Sequence, residues 1–331
     1  MPVQITIIGL GQVGASIGLA LKARGANVTI VGHDKDTRAA KAAQEAGAVD
    51  TWKYNLPDSV RDARLVVLAV PFAEVRQTLE VIAPDLQEGT LVLDTALAKG
   101  TVAAWAKELL PAGRFYVGLF PAIHPDHLHG IDYGVAAARA NLFEKSVTVV
   151  TAPAGTPENV FSLTLDFISL LGSLPLLMDT AEADGLLGKV QVLPQLAAAA
   201  LLDATLDQPG WLEAKKLAAR PYAAMTSAFA YHDDAVSLCE AALENRENLV
   251  RLLNTYITSL LELRDELEDS DRDALGRRLE KAWTGRVRWF EERSEAEWLN
   301  KQAQKIDAPS FGERLNQMLF GSALSDRTKR K

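Results

Sequence analysis

Apolar positions divide the chain into two unlike halves. In the first half, short apolar runs alternate with segments of helical spacing. Val3–Ile8 is a β-branched run that predicts a strand. Ile17, Ala20 and Leu21 then fall at helical spacing, and Gly25 stands where a helix C-cap belongs. Residues 28–31 predict a second strand and residues 38–45 a second helix. Further runs of strand length lie at 65–70 (closed by Pro71), 90–93, 115–118 and 147–150. Residues 160–178 approach the length of a membrane span, but Asp166, Gly172 and Pro175 interrupt them. They predict a buried helix, a glycine stop and a strand. Strands that are apolar throughout and separated by helices predict a parallel sheet covered on both faces. The βαβ order from the first residues is the doubly wound pattern.

From about residue 180 the strand pattern stops. Residues 186–206 are almost uniformly apolar, which predicts a helix buried on all sides. Residues 235–268 predict one long amphipathic helix, with Leu249, Leu252, Leu253, Tyr256, Ile257, Leu260, Leu261 and Leu263 at helical spacing. Residues 271–292 predict a charged helix with Trp283, Trp289 and Phe290 on one side. The last six residues, DRTKRK, predict a frayed tail. The expected organisation is an α/β doubly wound domain over 1–180 and an all-α domain over 181–331. A helix as apolar as 186–206 needs a large partner surface, so a homodimer through the C-terminal helices is expected.

Composition adds limits. A chain of 331 residues fits two domains at about 150 residues each. Hydrophobic residues at 48% and charged residues at 24% are globular values. The 35 basic and 43 acidic side chains leave a net charge of −8, which disfavours nucleic acid as a partner. The single cysteine, Cys239, excludes a disulfide framework and fits a reducing, cytoplasmic location. The start MPVQITIIGLG lacks the basic segment of a signal peptide, and no membrane partner is expected.

The strongest chemical signal is Gly9-Leu10-Gly11-Gln12-Val13-Gly14, a GxGxxG run that follows a strand and opens a helix. Gly9 allows the tight turn, Gly11 lets backbone approach a pyrophosphate, and Gly14 lets helix and strand pack closely. Asp34 lies 25 positions after Gly9 at the end of the second strand, where its carboxylate would accept from ribose hydroxyls. This predicts a Rossmann-type dinucleotide site. An acid there favours NAD, although Lys35 and Arg38 stand close enough in sequence to meet the 2′-phosphate of NADP. Val70 and Pro71, at the end of the 65–70 strand, are expected at the same crevice.

Of the five histidines, His33, His127, His129 and His232 offer little beyond their positions. His124 differs: it follows the 115–118 strand, where the crevice is expected, and could take a proton from a substrate hydroxyl. The spacing of His124, His127 and His129 fits no zinc pattern, so no metal is expected.

Several segments resemble the prephenate dehydrogenases, the tyrosine-pathway family that includes arogenate dehydrogenases. These are ITIIGLGQVGASIGLALKARG, DARLVVLAVPFAEV, LVLDTALAKG, HPDHLHGIDYGVAAARANLFEKSVTVVTAP, TAEADGLLGKVQVLPQLAAAALLD and LENRENLV. The His-Pro segment and its Leu-Phe sequel are the most specific of them. The resemblance implies oxidative decarboxylation with NAD(P), His124 as proton acceptor, and a small anionic substrate. Arg220 is the best local match to the family's carboxylate-binding arginines, with no second arginine at the family's spacing. Arg246 also matches a family position.

Departures from the family pattern are plain. Leu97 stands where the family's Asp-x-x-Ser-x-Lys segment has its serine. Gln191 and Gln195 stand where a helix motif has two histidines, and as an i, i+4 pair they could bind a polar substrate. The segment from His124 to Gly134 is one residue longer than in the family. Two other readings therefore stay open at this point: an NAD(P)-dependent dehydrogenase or reductase of another small acid, and a dinucleotide-binding dimer without turnover.

Overall fold

The computed structural model describes residues 3–130, 132–230 and 235–296. His232 and the DRTKRK tail lie outside them. The chain groups into two units. The first holds residues up to Val70, Glu74–Thr180 and the end of the last helix from Glu292; the second holds Pro71–Ala73 and Ala181–Glu291.

The first unit alternates strand and helix: β1 (Val3–Ile8), α1 (Gln12–Ala23), β2 (Val28–His33), α2 (Thr37–Glu45), β3 (Thr51–Trp52), α3 (Leu56–Val60), β4 (Ala63–Leu68) and α4 (Phe72–Ile82). It continues through β5 (Leu91–Asp94), α5 (Lys99–Leu109), β6 (Phe115–Pro121), β7 (Val147–Thr151), α6 (Glu158–Leu170) and β8 (Leu174–Leu177). The sheet order is β3-β2-β1-β4-β5-β6-β7-β8. Successive side chains of a strand point to opposite faces. Ile5, Ile7, Leu65, Val67, Leu91, Leu93 and Val117 share one apolar core with Ile17 and Leu21 of α1 and Leu163 and Phe167 of α6. The alternate residues Val66, Leu68 and Val92 are equally buried. Burial of both faces explains why these strands are apolar without alternation.

β1 to β6 are parallel, but β7 runs antiparallel to β6, and β8 is parallel to β7. The expected parallel order thus holds from β1 to β6 and reverses once, at β7. A parallel return needs a crossover, normally a helix. Among its described residues the β6–β7 connection has only short 3-10 turns, at Pro125–His127 and Gly134–Ala137.

The second unit is helical: α7 (Thr180–Leu187), α8 (Leu193–Thr205), α9 (Trp211–Leu217), α10 (Arg220–Ala230), α11 (Ala235–Glu244), α12 (Arg246–Glu268) and most of α13 (Arg272–Glu295). Two expectations change here. The 235–268 segment is two helices, parted at Asn245. That side chain donates to the Asp184 carbonyl of α7 (2.7 Å) and accepts from Asn248 in the first turn of α12 (2.7 Å), so it ties the break to both. The apolar run after 186 is not buried on all sides: Leu186 is 44% exposed and Val190 59%. α7 and α8 are joined by a π-helical turn at Gly188–Val192. Pro194, which has no N–H to donate, stands just after it. By length and composition alone, Thr180–Thr205 would also suffice to cross a membrane.

Candidate active site

The parallel strands place their carboxyl ends along one edge of the sheet. Gly9–Gly14 follows β1, Asp34 follows β2, Val70 follows β4, Asp94 ends β5 with residues 95–99 after it, and His124 follows β6. The order reverses between β1 and β4, which is the switch point where open α/β sheets leave a crevice.

The glycine loop is stitched to both neighbouring strands. Gly9 N–H donates to the His33 carbonyl (2.9 Å), and Ala69 N–H donates to that of Ile8 (2.8 Å). Gly9 has φ +88°, and a Cβ there would lie 2.3 Å from the Ala69 carbonyl oxygen, beside Val70. A Cβ on Gly14 would lie 1.9 Å from the Gly9 carbonyl oxygen, so only glycine lets α1 pack this close. Gly11 is the opposite case: a Cβ there meets nothing within 4 Å. Its side toward that empty space is open. α1 starts just after Gly11 with no side-chain cap and no acid in its first turn, so its leading N–H groups are not taken by side chains. Leu10 is buried, Val13 packs on the core, and Gln12 Nε2 reaches the Ala137 carbonyl at 3.4 Å. Val70 and Pro71 are half-buried, and α4 starts immediately after them.

Asp34 has a structural task that its position alone does not show. Oδ2 accepts from Leu10 N–H and Oδ1 from Asp36 N–H, both at 2.8 Å. The carboxylate therefore clamps the glycine loop to the end of β2. Each oxygen has a second lone pair, so ribose hydroxyls can still be bonded. The two nearby cations have partners: Lys35 pairs with Glu74, and Arg38 with Asp36 (3.0 Å). The Asp36–Arg38 hydrogen bond lowers the carboxyl pKa and raises that of the guanidinium.

His124 opens the 3-10 turn after β6. Its N–H donates to the Leu142 carbonyl (2.7 Å), and its Nδ1 accepts from Asp126 N–H (3.2 Å). In that arrangement a neutral ring carries its proton on Nε2. The Asp126 carboxylate lies 3.7 Å from Nδ1. His127 is bonded to Asn141 (3.1 Å) and His33 to the Lys53 carbonyl (3.0 Å). Among the described residues no cluster of three or more His, Cys, Asp or Glu side chains could hold a metal ion.

Sequence reasoning missed a buried charge cluster after β5. Lys99 and Asp94 are both 0% exposed, with Nζ 2.8 Å from Oδ1. The Tyr116 hydroxyl donates to Asp94 Oδ2 (2.6 Å) and Ala96 N–H to Oδ1 (2.9 Å). This cluster anchors residues 95–98, where Ala98 takes the left-handed conformation and Leu97 is half-buried. The Asp-x-x-x-x-Lys spacing across a strand-to-helix turn was the available signal.

The remaining candidates lie in the helical unit. Gln191 is in the π-turn. Gln195 Nε2 donates back to the Gln191 carbonyl (2.8 Å), while its Oε1 is buried without a hydrogen-bond partner in the protein. An orphaned acceptor of this kind calls for a ligand or water donor. Arg220 is exposed at the first residue of α10.

Residues 17–174 match the family model for the prephenate dehydrogenase nucleotide-binding domain, and residues 179–281 that for the prephenate dehydrogenase dimerization domain. The glycine loop precedes residue 17, so motif and match are independent observations. Cyclohexadienyl dehydrogenase of Zymomonas mobilis is 28% identical over 280 residues, 82% of this chain and 90% of the relative. Prephenate dehydrogenase of Bacillus subtilis is 25% identical over 275 residues, 82% of this chain and 72% of the relative. The crystal structure of prephenate dehydrogenase from A. aeolicus, in complex with hydroxyphenyl propionate and NAD+, shares the fold. Its TM-score is 0.74 at 21% identity, over 87% of this chain and 98% of that one.

Proposed function

The chain belongs to the prephenate dehydrogenase family of NAD(P)-dependent dehydrogenases, and from that premise we propose that it catalyses oxidative decarboxylation of prephenate or arogenate with His124 as proton acceptor. The observation that carries this reading is the position of His124, beyond β6 on the same sheet edge as the glycine loop and Asp34. A base and a dinucleotide must approach one C–OH group together, and that edge offers both.

NAD fits the residues present. Gly11 leaves the space for the pyrophosphate, Leu10, Gln12 and Val13 complete the loop around it, Asp34 receives the ribose, and Val70 and Pro71 border the crevice. Asp34 repels a 2′-phosphate, and Lys35 and Arg38 are engaged with acids, so NAD is preferred over NADP. The nicotinamide, when bound, supplies the hydride acceptor.

His124 takes the hydroxyl proton as the substrate C–H electron pair departs and CO₂ leaves the ring. Acceptance at Nε2 requires the ring proton on Nδ1. The Asp126 carboxylate is the group positioned to receive Nδ1–H once the Asp126 N–H lets go. Leu97 has no hydroxyl with which to orient the substrate, so that task falls to His124 itself. Gln191, Gln195 and Arg220 hold the polar and anionic parts of the substrate. The orphaned Gln195 Oε1 supports this role.

The exposed apolar residues of α7, the π-turn and α12, including Leu186, Val190, Ile257, Leu260 and Leu261, lie in the segment that matches a dimerization domain. We read them, and the apolar Thr180–Thr205 run, as the surface of a homodimer rather than a membrane span.

Reduced-nicotinamide absorbance tests the reading, with NAD or NADP crossed against prephenate or arogenate. Turnover in at least one combination, abolished in His124→Asn, is expected. Silence in all four with NAD still bound favours another small acid substrate, for which Leu97 and the two glutamines would be the reason.

A further inference from the structure

His124 is held at its backbone from two directions. Its N–H donates to the Leu142 carbonyl at 2.7 Å. The carbonyl of Ile123, in the same peptide unit, accepts from Arg293 Nη2, also at 2.7 Å. Both polar groups of the peptide that leads into the imidazole are therefore bonded. The two partners are remote in sequence: Leu142 lies shortly before β7, and Arg293 is in the last turn of α13, 170 residues after Ile123. Arg293 is half-buried, and desolvation lowers its pKa. Burying a guanidinium is unfavourable unless its hydrogen bonds offset the lost water, and a charged donor on a carbonyl is among the stronger ones. Ala296, one turn further, is buried as well, so this end of the helix is seated. Position 293 lies beyond residue 281, where the match to the dimerization domain ends, so the resemblance assigns it no role.

We propose that Arg293 is a positioning residue for His124. It fixes the 123–124 peptide, and with it the direction in which the imidazole presents Nε2. The proposal rests on the reading of His124 as the base. It also gives the end of α13 a task in the first unit, with which residues 292–296 group.

Arg293→Gln keeps an amide donor and loses the charge; Arg293→Lys keeps the charge. With the substrate that the wild type turns over, kcat of the Gln variant is expected to fall about ten- to a hundredfold. Substrate KM should stay within about twofold, because a positioning group acts on the chemical step. NAD affinity should not change, and the Lys variant should recover part of the loss. A second readout needs no turnover. The His124 ring resonances in isotope-labelled protein, identified by their loss in His124→Asn, are expected to shift and broaden in Arg293→Gln. A raised KM with unchanged kcat would overturn the proposal and make Arg293 a substrate-binding cation. Unchanged kcat with unchanged ring resonances would overturn it too. If the wild type turns over none of the four combinations, the reading of the reaction has failed, and the ring resonances alone decide on Arg293. If the Gln variant melts early, the Lys variant carries both readouts.

Discussion

Lys99→Met removes one charge from the buried cluster after β5 while keeping an unbranched stem in the same space. In the wild type, Nζ lies 2.8 Å from Asp94 Oδ1, with neither side chain open to solvent. The variant leaves Asp94 with the Tyr116 hydroxyl and the Ala96 N–H, but without a counter-charge. Breaking a buried pair by removing one partner costs about 3–5 kcal/mol, so a destabilisation of that size is expected. Urea unfolding at pH 7, followed by circular dichroism at one protein concentration, measures it. Asp94→Asn combined with Lys99→Met removes both charges and should recover more than half of the loss. A loss below about 1 kcal/mol, or a double variant as unstable as the single one, would refute the reasoning.

Three further outcomes are expected. Gly11→Ala should leave the melting temperature nearly unchanged, since its Cβ meets nothing, yet weaken NAD binding about tenfold; Gly14→Ala should destabilise the fold by about 2 kcal/mol or more, because its Cβ falls 1.9 Å from a backbone oxygen. Thermal melts paired with NAD titrations would separate the two cases. Asp34→Asn leaves a single acceptor oxygen for two backbone donors and cancels the repulsion of a 2′-phosphate, so the ratio of NAD to NADP dissociation constants should move toward NADP. Val190→Asp puts a charge on the most exposed part of the apolar helical run and should turn a dimer into a monomer in sedimentation, with circular dichroism unchanged; a wild type that is already monomeric at micromolar concentration would sink the dimer reading.

The sheet strands were legible because burial on both faces leaves an unbroken apolar run, which composition alone reveals. β3 escaped notice because Thr51–Trp52 is too short to carry a pattern. The direction of β7 was not legible, since an apolar run reads the same in either direction; the missing crossover helix was the clue. The break at Asn245 depends on a bond to Asp184, a residue 61 positions away, which no local periodicity encodes. At the site, the glycine loop and His124 follow from local order along the chain. The place of Asp34 just after β2 follows from the strand pattern, but its grip on Leu10 needs the fold of the loop. Arg293 was invisible for the same reason as Asn245: its partner is fixed by packing, not by spacing. The helix after 186 misled because an apolar surface destined for another chain has the same composition as one buried within its own.

The reversal at the edge of the sheet has a consequence for how this scaffold can change over evolutionary time. β6 leaves the ladder at Pro121, paired with Thr148, and β7 re-enters it from the same end, with Ala122 N–H on the Val147 carbonyl. The residues between form a hairpin-like excursion whose two feet are pinned by neighbouring strands. An insertion or deletion there does not slip the register of the sheet. The entropy of closing such a loop grows by only about 0.6 kcal/mol for each doubling of its length. Only part of the excursion is free in this sense: Leu142 and Phe143 are fully buried and hold its later residues in the core. Changes of length over evolutionary time would therefore fall on its exposed residues, such as Asp126, His129 and Tyr133, while the sheet and the glycine loop stay the same.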